Sequence, residues 1–234
     1  MIKTVYTVLL FTVSLLVVGC QDDYSLSPYF SVKLGATSLY KIEKTTTDGT
    51  QETRKGWTNI SVKKNGSTTH LTRQSLNRHY RSYLISEDGI FLKEDSPKTI
   101  TNSGYETNFI MPSTFKNGDT WKNRTYTTAL QTSQSPWEST LRPTIAVPVL
   151  YRVISINEDI LVSGARYKDC VLVEGTGTTK VTLNNYIGNI KVKILSKTWY
   201  ARNIGLVKTE ISELTDSSII KSGKTHIELL RHSK

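Results

Sequence analysis

The sequence predicts an all-β protein: a curved antiparallel sheet, half-barrel or sandwich-like, following an N-terminal signal peptide. Three observations predict it. After residue 30 the chain repeats strand, turn, strand, with Thr, Val, Ile and Tyr dominating the strands. The turns carry Gly after Asn or Asp (Asp48-Gly49, Asn65-Gly66, Asp88-Gly89, Asn117-Gly118), the pairs that tolerate the positive φ of tight hairpins. No stretch beyond the first 19 residues has apolar residues at the 3.6-residue spacing of an amphipathic helix three turns long.

In chain order, residues 1–19 have the parts of an export signal. Lys3 supplies the positive start, Val5 to Val18 an apolar run, and Gly19 a small residue at the cleavage point. The run falls short of the roughly 20 residues a membrane-spanning helix needs. Leu16-Val17-Val18-Gly19-Cys20 resembles the lipobox of bacterial lipoproteins. That resemblance implies a diacylglycerol on the Cys20 sulfur, removal of the signal and acylation of the new amino terminus. It also implies sorting. Gln21 rather than Asp follows the cysteine, which points to the periplasmic face of the outer membrane. Residues 20–28 form a short lipidated tether, and 29–234 a single β-rich domain, with a hint of two similar halves at about 31–112 and 113–234.

The strands are expected at Ser38–Lys44, Gly56–Lys64, Thr68–Arg73, Arg78–Ser86, Ile90–Glu94 and Tyr105–Ile110, then Thr120–Thr128, Val147–Ile156, Tyr167–Glu174, Ile190–Ala201, Gly205–Leu214 and Thr225–Arg231. Val147, Val149, Tyr151 and Val153 alternate onto one face. Ile190, Val192 and Ile194 do likewise, with Lys191 and Lys193 opposite. Asn157-Glu158-Asp159 and Ser222-Gly223 look like further turns. The segment 133–148 holds three of the six prolines, Pro136, Pro143 and Pro148, with Trp137, Leu141 and Ile145 between them. Proline cannot donate to a central ladder, so this is read as a loop, either folded back on the core or offering those three side chains as a ligand or partner contact.

Composition narrows the partners. Lys and Arg number 30 against 20 Asp and Glu, a net charge of +10 that favours anionic partners. The basic residues are spread along the chain without the block that would mark a nucleic-acid patch. Cys170 is the one cysteine besides Cys20. Beside Val171, Leu172 and Val173 it reads as an inert core thiol rather than an open, electropositive, reactive one. The four histidines (His70, His79, His226, His232) show no metal-ligand spacing. Glu174-Gly175-Thr176-Gly177 lacks the third glycine and the helix of a dinucleotide fingerprint. No G-x-S-x-G elbow or Walker loop is present. The expectation is therefore a non-enzyme with no cofactor, no metal and no nucleic acid.

Trp199 to Lys208, reading W-Y-A-x-x-I-G-L-V-K, with Gly118-Asp-Thr-Trp121 and Tyr167-Lys-Asp-Cys170 upstream, resembles uncharacterised β-rich envelope lipoproteins. The resemblance implies a curved antiparallel sheet similar to the half-barrels of the LolA and LolB lipoprotein carriers, without the helices that cover their concave face. It implies no activity; address and shape point to two functions ahead of a hydrolase, which would need acid/base groups such as His79 or His226 beside a carboxylate in one cleft. The first is a membrane-anchored envelope component that binds protein partners, as an accessory of an assembly or secretion machine. The alternative is a carrier or sensor of a lipid or other apolar ligand.

Overall fold

The computed structural model describes residues 27–46, 48–93, 107–132, 142–185 and 187–233. Each of the twelve expected stretches carries a strand. The first half contains β1 (Thr37–Thr46), β2 (Gly49–Asn65), β3 (Thr68–Ser75), β4 (Tyr80–Ser86), β5 (Gly89–Lys93) and β6 (Thr107–Met111). The second contains β7 (Thr120–Tyr126), β8 (Gln131–Thr132), β9 (Ala146–Val162), β10 (Ala165–Thr182), β11 (Asn189–Ala201), β12 (Gly205–Thr215), β13 (Ile220–Lys221) and β14 (Gly223–Ser233). Twelve strands form one antiparallel sheet in the order β6-β5-β4-β3-β2-β1-β14-β12-β11-β10-β9-β7, and β8 pairs with β13 in a separate two-stranded ribbon.

The sheet curls until its ends approach. Trp121 of β7 donates its indole N–H to the Ile110 carbonyl of β6 at 3.1 Å, so the barrel is nearly closed. Curling brings residues distant in the strand order into one core. Leu71, Ile85 and Ile90 from the first half pack in the same cluster as Trp121, Val153, Val171 and Val173 from the second. Phe115, in the connection between β6 and β7, joins it, with ring centroids 5.3 Å from Tyr29, 5.8 Å from Trp121 and 5.7 Å from Tyr200. A second cluster holds Ile145, Val147, Val149, Ile190, Val192 and Ile194, with Leu130, next to β8, and Ile220 of β13. The alternation expected in β9 and β11 is present. Val147, Val149 and Val153 are buried, as are Ile190, Val192 and Ile194, while Lys191 and Lys193 are exposed.

Two expectations about turns need correction. Asn157-Glu158-Asp159 is not a corner: β9 runs through it to Val162. The chain reverses instead at Ser163-Gly164, both at positive φ (49° and 83°), the backbone of a two-residue hairpin that matches strand twist. The polar run is accommodated by irregular pairing with β10 between Tyr167 and Val173, where extra residues are absorbed as bulges. Ser222-Gly223 is not a positive-φ turn either. Gly223 opens β14, and a Cβ there would strike the Ala129 carbonyl, so close approach is what requires glycine. The Glu174–Gly177 segment lies inside β10, paired with β11 on one side and β9 on the other. A Cβ on Gly175 would meet the ring of Tyr151, its partner on β9, at 2.7 Å. These glycines serve packing across the sheet.

Candidate functional site

The first half of the sheet, β1 and β2 foremost, encloses with β14 and the β11–β12 turn a cavity of about 370 Å³, within the roughly 300–1,000 Å³ of ligand pockets. Period-two geometry decides which side chains enter it. Tyr40 and Ile42 on β1, Lys55, Trp57 and Asn59 on β2, Arg73 on β3, Arg81 and Tyr83 on β4, and Ile227 on β14 all point inward. Ile110 and Met111 of β6 and Tyr200, Ile204 and Leu206 add apolar walls, and Phe30 and Ala36 come from the segment before β1.

Arg73 is the centre of this wall. Register places it opposite Asn59 on β2 and opposite Arg81 on β4. Its Nε donates to Asn59 Oδ1 at 2.9 Å and its Nη2 to the Ser31 carbonyl at 2.7 Å. The guanidinium lies 4.0 Å from the centroid of Phe30 and 5.5 Å from that of Tyr83. Protein atoms surround it closely enough that burial lowers its proton affinity, although an arginine stays charged in any case. It keeps accessible surface where it faces the cavity. Asn59, 3% exposed, holds this geometry: its amide also donates to the Ser31 and Lys33 carbonyls at 3.0 and 2.9 Å. Backbone bonds from Gly35 to Asn59 and from Asn59 to Ala36 tie the same segment to β2.

The mouth is basic. Lys55 and Arg81 flank Trp57, with their charges 5.3 and 5.1 Å from its ring centroid. Partial burial, then the neighbouring charges of Arg81 and Lys44, push the Lys55 ammonium below its ordinary pKa. Outside lies a larger groove of about 610 Å³, reached past Ile42, Lys55, Trp57 and Arg81, which line both spaces, and edged by Lys44, Arg54 and His79. Among the described residues no Asp or Glu lines either space, and neither Arg73, Lys55 nor Arg81 forms an ion pair. Tyr40 and Tyr200 bring neutral phenols to the wall, as burial raises both pKa values. Among the described residues no group of three or more His, Cys, Asp or Glu is placed to hold a metal ion.

Of the residues singled out from the sequence, Ile145, Cys170 and His226 lie away from this cavity. Cys20, Trp137 and Leu141 fall outside the described residues. Ile145 takes the folded-back alternative: it is 4% exposed and packs with Val147 and Val149. Cys170 is buried with Ala201, Val207 and Leu229. Burial, with the carboxylates of Asp159, Asp169 and Glu158 nearby, raises its thiol pKa to about 11. His226 meets Glu228 at 3.0 Å and Glu210 at 4.0 Å on the outer face of β14, opposite Ile227. With Lys41 and Lys208 they form a surface ion network, and the hydrogen bond from His226, with help from Ser163 and Lys41, holds the Glu228 carboxyl below its ordinary pKa.

Sequence reading missed the cationic wall because Arg54, Lys55, Arg73 and Arg81 are scattered in the chain. The hairpins between them bring them together. The tight turn closed by the Ser75 N–H to the His79 carbonyl (2.8 Å) fixes the pairing of Arg73 with Arg81. A bulge between Asn59 and Ser61 sets Asn59 opposite Arg73.

The chain matches no family model and no curated protein sequence. Among solved structures it is similar to two proteins, each at 13% identity. One is a protein from Bacteroides fragilis NCTC 9343 inferred to be exported and having a YmcC-like fold (TM-score 0.46, covering 89% of this chain and 100% of that one). The other is a protein from Parabacteroides distasonis ATCC 8503 inferred to be a lipoprotein (TM-score 0.47, 88% and 99%).

Proposed function

We propose that this chain is a non-enzymatic lipoprotein of the bacterial envelope, anchored through Cys20 at the periplasmic face of the outer membrane, that carries or senses an apolar ligand inside its curved sheet. The observation that carries this reading is the cavity. A well-packed barrel would fill its interior with side chains, yet about 370 Å³ remains open between Tyr40, Trp57, Met111, Tyr200 and Ile227. Apolar walls with a few placed polar groups are what small-ligand sites use. The lipobox supports the anchor and the absence of Asp after Cys20 supports the outer membrane.

Binding of an envelope protein partner has one observation of its own. Leu150 and Ile154 project outward from β9, 48% and 44% exposed, as apolar side chains on a face otherwise open to water.

Native mass spectrometry of the chain from Gln21, released gently from a periplasm, tests the carrier reading. It predicts an added mass of lipid size. A bare chain that also takes up no mass from an envelope lipid extract rejects it and leaves the partner reading.

A further inference from the structure

The cavity is more than apolar: one wall carries positive charge that no carboxylate among the described residues balances. Arg73 and Arg81 are direct cross-strand neighbours, an arrangement that costs stability when both charges are alike. Lys55, on the same face of β2, adds a third charge at the mouth. Natural cores neutralise buried charge by pairing, and the pairing here is only to neutral acceptors, Asn59 and the Ser31 carbonyl. Those two bonds use Nε and Nη2 and fix the guanidinium plane, and the cavity wall begins at this group. Like charges gathered around an open space, held by neutral groups, form a receptor for an anion.

Resting on the carrier reading above, we propose that the ligand is a single-chain anionic amphiphile, a carboxylate or phosphate head on an aliphatic tail, whose head is received between Arg73, Arg81 and Lys55. Position follows from the lining. Lys55, Trp57 and Arg81 lie where the inner cavity meets the basic outer groove, so the head sits at that junction. The tail runs inward along Ile110, Met111, Tyr200, Ile204 and Ile227. The volume of about 370 Å³ lies at the small end of ligand pockets, which suits one chain rather than two. Lys44 at the outer groove, with Arg54 beside it and 3.7 Å from Glu52, steers an anion toward the mouth.

The test uses the full lipidated chain in neutral phosphatidylcholine vesicles. Three photoreactive probes share one diazirine-bearing alkyl chain and differ in the head: carboxylate, phosphate monoester or alcohol. Labelled peptides are identified by mass spectrometry. The expected result is labelling of the cavity lining by an acidic probe about tenfold or more above the alcohol, the factor a charged hydrogen bond supplies. Whether carboxylate or phosphate labels more strongly assigns the head. Arg73→Gln should bring acidic labelling down to the alcohol level and leave the alcohol unchanged, and Arg73→Lys should retain most of it. Arg81→Gln, at an exposed position, gives the same direction without risk to the core. Equal labelling by all three probes, unchanged in Arg73→Gln and Arg81→Gln, overturns the anionic head and leaves the carrier reading standing. Absence of cavity labelling by any probe overturns both.

Discussion

The Glu213 carboxylate accepts the backbone N–H of Ala129 at 2.8 Å from inside the protein, where Glu213 is only 1% exposed. It also accepts the N–H of Thr128 and that of Leu130, at 2.8 and 3.1 Å, so one side chain on β12 satisfies three consecutive donors just beyond the end of β7. That anchor holds Leu130 against the second core and positions the β8/β13 ribbon. Glu213→Ala would leave the buried Ala129 and Leu130 donors and the part-buried Thr128 donor unmet and should cost about 3–5 kcal/mol, a large part of the roughly 5–15 kcal/mol that holds a domain folded. Glu213→Gln, which keeps one acceptor oxygen, should cost less. Urea unfolding midpoints measure both, and an unshifted midpoint for the alanine variant removes the anchoring role. Gly223→Ala should destabilise the same junction by about 1–3 kcal/mol through overpacking, because its Cβ would be driven into the Ala129 carbonyl.

Asn59 positions Arg73 rather than meeting a ligand itself. Replacing it with Ala removes the bonds to the Ser31 and Lys33 carbonyls and to the arginine. Stability should fall by about 1–3 kcal/mol, and the Gly35 amide, bonded to the Asn59 carbonyl at 2.8 Å, should exchange faster. Asn59→Asp separates structure from recognition. A carboxylate at this position would pair with Arg73 directly and supply a counter-charge that no described residue gives it. The acid-to-alcohol labelling ratio should then fall toward one. If the ratio keeps its wild-type value, Arg73 does not read the head.

The strands were legible and the site was not, for one physical reason. Strand periodicity and Gly turns are local. Asp48-Gly49, Asn65-Gly66 and Asp88-Gly89 all close hairpins, and each glycine has positive φ. Bulges are not visible in the periodicity. The one between Asn59 and Ser61 decides what Arg73 faces, and the irregular β9–β10 pairing turned an apparent corner at 157–159 into continuous strand. Curvature was also hidden: nothing local in Trp121 announces that its indole will reach Ile110 from the opposite edge of the sheet.

Cys170 should be chemically silent while the protein is folded. It is fully buried, and only the thiolate reacts. Native protein at pH 8 should resist a maleimide that labels it readily in denaturant. A sign for pH follows too. The folded thiol ionises near 11 and the unfolded one near 9. Between those values the unfolded chain binds fewer protons, so stability present below about 9 falls as pH rises toward 11. Chemical unfolding at pH 8 and 10.5 compares the two regimes, with Cys170→Ala removing this cysteine's part of the slope. A slope identical in that variant would reject the assignment.

The silence of Cys170 sharpens the test of the anchor. With two cysteines in the chain and one of them sealed among Ala201, Val207 and Leu229, acylation on sulfur is expected at Cys20. Radioactive palmitate fed to cells should label the wild-type protein and not Cys20→Ser, and the mutant should keep its precursor length because the lipobox peptidase acts on the lipidated cysteine. Three acyl chains, at about 0.8 kcal/mol per buried methylene, hold a protein on a bilayer far more firmly than one myristoyl chain. The wild type should therefore stay with the membrane after a high-salt wash that strips proteins held by charge alone. Palmitate on the Cys20→Ser protein would move the anchor elsewhere in the chain and reject the lipobox reading.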